Sequence, residues 1–182
     1  MLYILIAIPC LLIMGIIYGY NSLVSKKNRM KEAWSGIDVY LKKRYDLIPN
    51  LIETVKGYAR HEQQLMEDLT KQRIDAIQAQ GAAEKINTES SLSQNITRLM
   101  LLVENYPDLK ANANFQQLQT QLETIETEIE LSRRYYNGTV RENNILVESF
   151  PANLIAAAFK FKSGIYFELS EPAERETVKV SF

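Results

Sequence analysis

The hydrophobic pattern opens with an unbroken apolar run, Leu2–Tyr20, with no charged residue across nineteen positions. As a helix rising about 1.5 Å per residue it reaches roughly 28 Å, close to the hydrocarbon thickness of a bilayer. Such a surface is too costly to leave in water, so the run belongs in lipid or is removed. Beyond it the pattern turns periodic. Trp34, Ile37, Leu41, Arg44, Ile48, Leu51, Val55, Tyr58, Glu62, Leu65 and Leu69 follow one another in alternating steps of 3 and 4, the rhythm of a helix packing along one stripe. It predicts one long helix from about Val24 to Gln80, continuing from the apolar run and bent at Pro49, which lies off the seam. Gln80-Gly81 is its stop, with the glycine as cap.

A second stripe, Leu92, Ile96, Leu99, Val103 and Tyr106, predicts a helix over Thr88–Asn105, broken at Tyr106-Pro107-Asp108. A third helix starts at an Asn114 N-cap, three residues before Gln117. Its stripe runs from Phe115 to Phe150, with two consecutive steps of 4 at Ser132, Tyr136 and Val140 that locally unwind a supercoil. A short helix over Ala152–Lys160 follows Pro151. The tail alternates instead: Gly164–Leu169 and Val178–Phe182 read as strands, forming a hairpin or adding to a partner, against the simpler reading of a mobile tail. The predicted fold class is therefore all-α: an N-terminal transmembrane helix, an antiparallel, up-and-down bundle of long helices, and a short strand-like C-terminal tail. The domain division is 1–23 anchor, 24–162 bundle and 163–182 tail.

The apolar run reads as a permanent anchor. A secretory signal starts with Lys or Arg and ends at a small-residue cleavage site. Here the run follows Met1 directly and ends in Tyr18-Gly19-Tyr20-Asn21. Cys10 follows Pro9 without a basic start, so it reads as an apolar thiol and not a lipid attachment site. Lys26, Lys27, Arg29 and Lys31 come next, with no acid before Glu32. Positive charge stays cytoplasmic, which places the N-terminus outside and the C-terminal domain in the cytoplasm of the inner membrane, a single pass. The same four cations either hold anionic headgroups or only fix topology. Gly15 and Gly19 form a G-x-x-x-G pair, a candidate self-association face in lipid.

Composition narrows the chemistry. Acids and bases nearly balance at a formal charge of −1, which argues against a nucleic-acid surface. One Cys and one His supply neither a disulfide framework nor a zinc cluster. His61-Glu62-Gln63-Gln64-Leu65 begins like a zinc-hydrolase helix, but position 65 is Leu. There is no G-x-S-x-G elbow, Walker loop or G-x-G-x-x-G. Glu123, Glu126, Glu128 and Glu130 read as a solvated helix face. No catalytic, cofactor-binding or metal-binding residue is assigned, and no cofactor is expected. The polar seam positions Arg44, Glu62 and Asn143 are candidates for fixing helix register, provided they are paired. The alternative is a seam partly turned to solvent there. Arg133-Arg134 could supply partners.

Several strings are specific enough to carry a resemblance. Asp46-Leu47-Ile48-Pro49-Asn50-Leu51, Val55-Lys56-Gly57-Tyr58, Tyr106-Pro107-Asp108-Leu109-Lys110 and Arg133-Arg134-Tyr135-Tyr136-Asn137 resemble, in order, signature blocks of the LemA family. The resemblance implies a bacterial, single-span membrane protein with a soluble four-helix up-and-down bundle and no established enzymatic activity. It also implies a link, in some relatives, with a membrane metalloprotease of the HtpX type, and it transfers no site residue. Three functions follow as expectations. One is a non-enzymatic membrane scaffold that forms a homo-oligomer. Another is an adaptor for another membrane protein, such as that protease. The third is an oligomer that shapes the lipid bilayer.

Overall fold

The computed structural model describes residues 2–59 and 61–168. The described chain is all-α: α1 (Leu2–Lys56), α2 (Gln63–Gln78), α3 (Ala82–Val103), α4 (Pro107–Lys110), α5 (Ala113–Glu148) and α6 (Ala152–Ala158). It forms two compact units, one of Met1–Tyr40 with Glu128–Tyr166, the other principally of Leu41–Thr127. α1 and α5 are each continuous through both.

Along α1 the side chains change environment. Leu11 and Leu12 are each 63% exposed, and Ile6, Ile8, Ile13, Met14, Ile16 and Ile17 are exposed with them. From Leu23 onward the apolar stripe is buried. Ile37, Leu41, Ile48, Leu51 and Val55 form the predicted seam, and Arg44 is buried among them. α1 is the one helix among the described residues that is long and apolar enough to cross a membrane. A core helix of that composition would be covered. This stretch is not.

The predicted single helix to Gln80 is instead two. α1 passes through Pro49 and stops at Lys56, directly before Gly57, a poor helix former. The Val55 carbonyl accepts from both Tyr58 N (3.0 Å) and Ala59 N (2.9 Å), turning the chain. Tyr58 therefore leaves the seam and becomes exposed. The buried face of α2 is Met66, Leu69 and Ala76, one residue out of phase with the predicted Leu65. Gly81, with φ 80°, sits in the left-handed region and separates α2 from α3. The Gln80 amide donates to Glu84 Oε2 at 2.8 Å across that turn.

α3 buries Ile86, Glu89, Leu92, Asn95, Ile96, Leu99 and Val103. α5 is capped two residues earlier than predicted: Asn112 Oδ1 accepts from Phe115 N at 3.1 Å. Phe115, Leu122, Ile129, Tyr136 and Asn143 are all buried, an unbroken seven-residue repeat. Within the second unit, α1 and α5 run antiparallel: Arg44 meets Glu126, and Tyr58 meets Asn112. Within the first, Lys26 meets Glu142 and Trp34 meets Tyr136, again antiparallel.

No strand occurs among the described residues. Of the predicted strand pair, residues 164–168 form no strand, and residues 169–182 lie outside the described residues. The backbone at Gly164 and Ile165 is held by α5 side chains. Asn144 clamps Gly164, accepting from its N–H at 2.7 Å and donating to its carbonyl at 3.1 Å. The Tyr136 hydroxyl donates to the Ile165 carbonyl at 2.9 Å.

Pro49 removes the N–H that would bond the Tyr45 carbonyl four residues back. Arg73 of α2 takes its place, donating from Nε to that carbonyl at 2.6 Å. Arg73→Met should therefore cost about 1 kcal/mol or more. Pro49→Ala in the Arg73→Met background should recover much of that by restoring the helical donor. Urea unfolding of the four members of the cycle measures the coupling, and strict additivity contradicts the assignment.

Candidate functional site

Two polar constellations stand out, one in each unit. In the second unit Arg44 projects from α1 into the bundle, only 2% exposed. Its Nη2 donates to Glu89 Oε2 of α3, an ion pair with both partners buried. Its Nη1 donates to Glu126 Oε1 of α5 at 2.9 Å and to Ser93 Oγ of α3 at 3.0 Å. The Tyr45 hydroxyl donates to the other Glu89 oxygen, and the Lys85 ammonium lies 5.6 Å from the Tyr45 ring centroid. Three helices thus converge on one guanidinium. Its fork matches two carboxylates at once, which an ammonium could not do.

Burying Glu89 is tolerable only because Arg44 and Tyr45 occupy its oxygens. The arrangement is closed rather than reactive: both Glu89 oxygens and both terminal Arg44 nitrogens are engaged, while Arg44 Nε is buried with no hydrogen-bond partner among the described residues. Glu89 was missed from sequence although the signal was present. It lies one step of 3 before Leu92, so extending the α3 stripe backwards reaches it. Glu126 is half-buried on Arg44 and is not part of a purely solvated face. Its neighbours do face outward: Glu130 pairs with exposed Arg134, and Glu123 accepts from Gln119.

In the first unit the predicted cations are partly engaged. Lys26 Nζ bonds Glu142 Oε2 at 2.8 Å, and Arg29 Nη1 lies 3.7 Å from the same oxygen. Lys27 sits over the Phe161 ring, 5.5 Å from its centroid, and Lys31 is exposed. Asn143 is buried, donating to Asn144 Oδ1 at 3.2 Å and to the Lys162 carbonyl at 3.4 Å. It thus holds the segment after α6 rather than a facing long helix. Glu62 lies outside any helix seam, at the N-cap of α2, without a side-chain capping bond.

The glycine pair is split between two surroundings. A Cβ on Gly15 would meet nothing within 4 Å, whereas one on Gly19 would lie 2.5 Å from Ile155 Cδ1 of α6. Gly19 thus serves a close approach within the chain. An open groove of about 590 Å³ runs along α2, lined by Met66, Thr70 and Ile74 with Lys56, Lys71 and Asp75. Among the described residues no three His, Cys, Asp or Glu side chains gather as a metal site.

Removing Arg44 leaves Glu89 as an uncompensated buried charge. Arg44→Met should destabilise by about 3–5 kcal/mol, while pairing it with Glu89→Met should restore most of the loss. Thermal unfolding of both variants tests this; equal damage in single and double variants goes against it. The second constellation responds to pH. The hydrogen bond from Lys26, with its charge, holds the Glu142 carboxyl below the usual carboxylate range. A folded-state pKa below the unfolded value adds stability that is present above the ordinary carboxylate range and lost as pH falls through the folded midpoint. Carboxyl-carbon NMR should place the Glu142 midpoint below that of an exposed glutamate, and Lys26→Gln should raise it.

Residues 33–182 match the model of the LemA family. The chain is similar to magnetosome protein MamQ 2 of Paramagnetospirillum magneticum, 22% identical over 175 residues, covering 82% of this chain and 64% of that protein. Magnetosome protein MamQ of Magnetospirillum gryphiswaldense is 21% identical over 174 residues, covering 81% and 64%. Protein LemA of Metamycoplasma hominis is 25% identical over 162 residues, covering 88% and 74%. The chain thus spans 64% of the length of these magnetosome relatives, a little under two thirds. The family match takes in Arg44, Glu89, Glu126 and Glu142 together with all of α2 to α6, and with most of its length inside that match the chain belongs to the LemA family.

Proposed function

We propose that this chain is a non-enzymatic scaffold held in the membrane by α1, its N-terminus outside and its bundle in the cytoplasm, where it self-associates. The observation that carries the reading is how the apolar run ends. Its side chains from Ile6 to Tyr18 are exposed, yet Tyr20 packs edge-on against Phe159 and Phe161, at 4.9 and 5.7 Å between ring centroids. Gly19 lies against Ile155. The end of the run is stitched to the folded body, which suits a retained anchor and not a segment cut away.

Orientation rests on Lys26, Lys27, Arg29 and Lys31 directly after the run. Self-association is supported by apolar side chains that stay exposed on the long helices: Ile74, Ile77, Leu101 and Leu131. The non-enzymatic reading is supported by the engagement of Arg44, Glu89 and Asn143 in internal contacts instead of a cleft.

With Cys10→Ser as background, Thr97→Cys should react with a membrane-impermeant maleimide only after the cells are opened. Labelling of intact cells reverses the proposed orientation. An amine-reactive cross-linker applied to native membranes should give dimers and larger species. A band that stays monomeric at every cross-linker dose removes the scaffold reading.

A further inference from the structure

The exposed side of α6 continues the lipid-facing surface of α1. From Ser149 to Phe159 the chain carries no charge, between Glu148 and Lys160. Within that stretch Phe150 is 80% exposed, Leu154 63% and Phe159 55%. Leu154, Ala157 and Ala158 share one face of the helix at i, i+3 and i+4, and all three are exposed. Ile155 and Ala156 point the other way. Ile155 reaches Gly19, and Ala156 is buried. An apolar surface of this kind marks an interaction site and not ordinary scatter.

Its height along α1 is set by these contacts. Gly19 and Tyr20, the last two residues of the apolar run, are the ones that α6 and its C-terminal flank touch. At the exit of α6, Lys160 has φ 58°, and Phe161 N donates to the Ala156 carbonyl at 2.9 Å, with Lys160 N to Ala157 at 3.3 Å. This closure is a Schellman motif. It brings Phe161 back onto Tyr20 and under the Lys27 ammonium.

We propose that α6 and its flanks lie in the interface of the bilayer, with Phe150, Leu154 and Phe159 in the boundary between headgroups and acyl chains. The inference rests on the reading that α1 spans the membrane, because that span fixes the depth of Gly19 and Tyr20. Lipid is the occupant that fits. The patch is continuous with the exposed apolar run. It is flanked by Tyr18 and Tyr20, residues of the type that line membrane–water interfaces. Lys160 and Lys162 follow directly, able to bury their stems while their charges reach headgroup depth. The chain thus meets lipid twice, through a rod across the bilayer and a short helix along its surface.

The experiment uses the full chain in phosphatidylcholine–phosphatidylglycerol vesicles, with Cys10→Ser as background. An environment-sensitive fluorophore is placed in turn at Leu154→Cys, Phe159→Cys, Ile13→Cys and Thr97→Cys. Circular dichroism confirms that each variant keeps its helix content. Probes at 154 and 159 should emit to the blue of the probe at 97 and lose most of their emission to shallow spin-labelled lipid. The probe at 13 should be quenched by deep spin-labelled lipid, and the probe at 97 by aqueous iodide alone. If 154 and 159 behave like 97 while 13 is quenched by deep lipid, the span stands and the interfacial assignment fails. If 154 and 159 are shielded from both iodide and spin-labelled lipid, protein covers the patch and the assignment also fails. If 13 is not quenched by deep lipid, the span fails and takes the interfacial assignment with it.

Discussion

A guanidinium sealed inside a helical bundle constrains everything around it. Burying a guanidinium such as that of Arg44 is tolerable only with carboxylates in fixed places. Those places lie on two other helices, at Glu89 and Glu126. Sliding α3 by one turn would take Glu89 away from Arg44 and Tyr45 and leave charges unpaired. Apolar seams tolerate such slips more readily, because one Leu or Ile substitutes for another in a hole. A buried ion pair is weak evidence for net stability, because the cost of desolvating both charges offsets their attraction.

The neighbouring turn of α1 shows a backbone counterpart of the same logic. Proline inside a helix forfeits a hydrogen bond and leaves a carbonyl without its usual donor. Here that carbonyl belongs to Tyr45, whose side chain already serves Glu89. Arg73 supplies the missing donor from another helix. A helix defect thus becomes a point of attachment, tying α2 to α1 at a single level. This gives Pro49, within Asp46-Leu47-Ile48-Pro49-Asn50, a definite role: it opens a carbonyl for a neighbour to read.

Much of this fold was legible in the chain, and the failures have physical causes. The apolar run and the seam from Ile37 to Val55 follow from hydrophobic spacing alone: the side chains from Ile6 to Tyr18 are exposed, and Ile37, Leu41, Ile48, Leu51 and Val55 are buried. Spacing misled beyond Val55 because Tyr58, Glu62 and Leu65 continue the rhythm through a stretch that is not one helix. Gly57 was the contrary local signal, outweighed by a long pattern. Arg44 could be recognised as a polar intruder, but its partners could not, since contacts 45 and 82 residues away in sequence depend on how helices stack. The strand-like alternation near Gly164 does not lead to a strand: Ile165 and Tyr166 are both exposed, and Asn144 of α5 bonds the N–H and the carbonyl of Gly164. A backbone segment can find its hydrogen-bonding partner in a side chain.

Two motifs at the membrane exit each had two readings, and geometry weighs them differently. A glycine in an apolar helix permits close approach, but the approaching group can come from the same chain. At Gly19 it does, through Ile155, so a partner helix is not needed to account for that glycine. The basic residues divide along another line. Topology responds to the number of Lys and Arg near the end of a span, with little contribution from acids. The ion pairs of Lys26 and Arg29 with Glu142 therefore leave the orientation argument intact. Headgroup binding is different, because an anionic lipid must compete with a carboxylate already in place for Lys26.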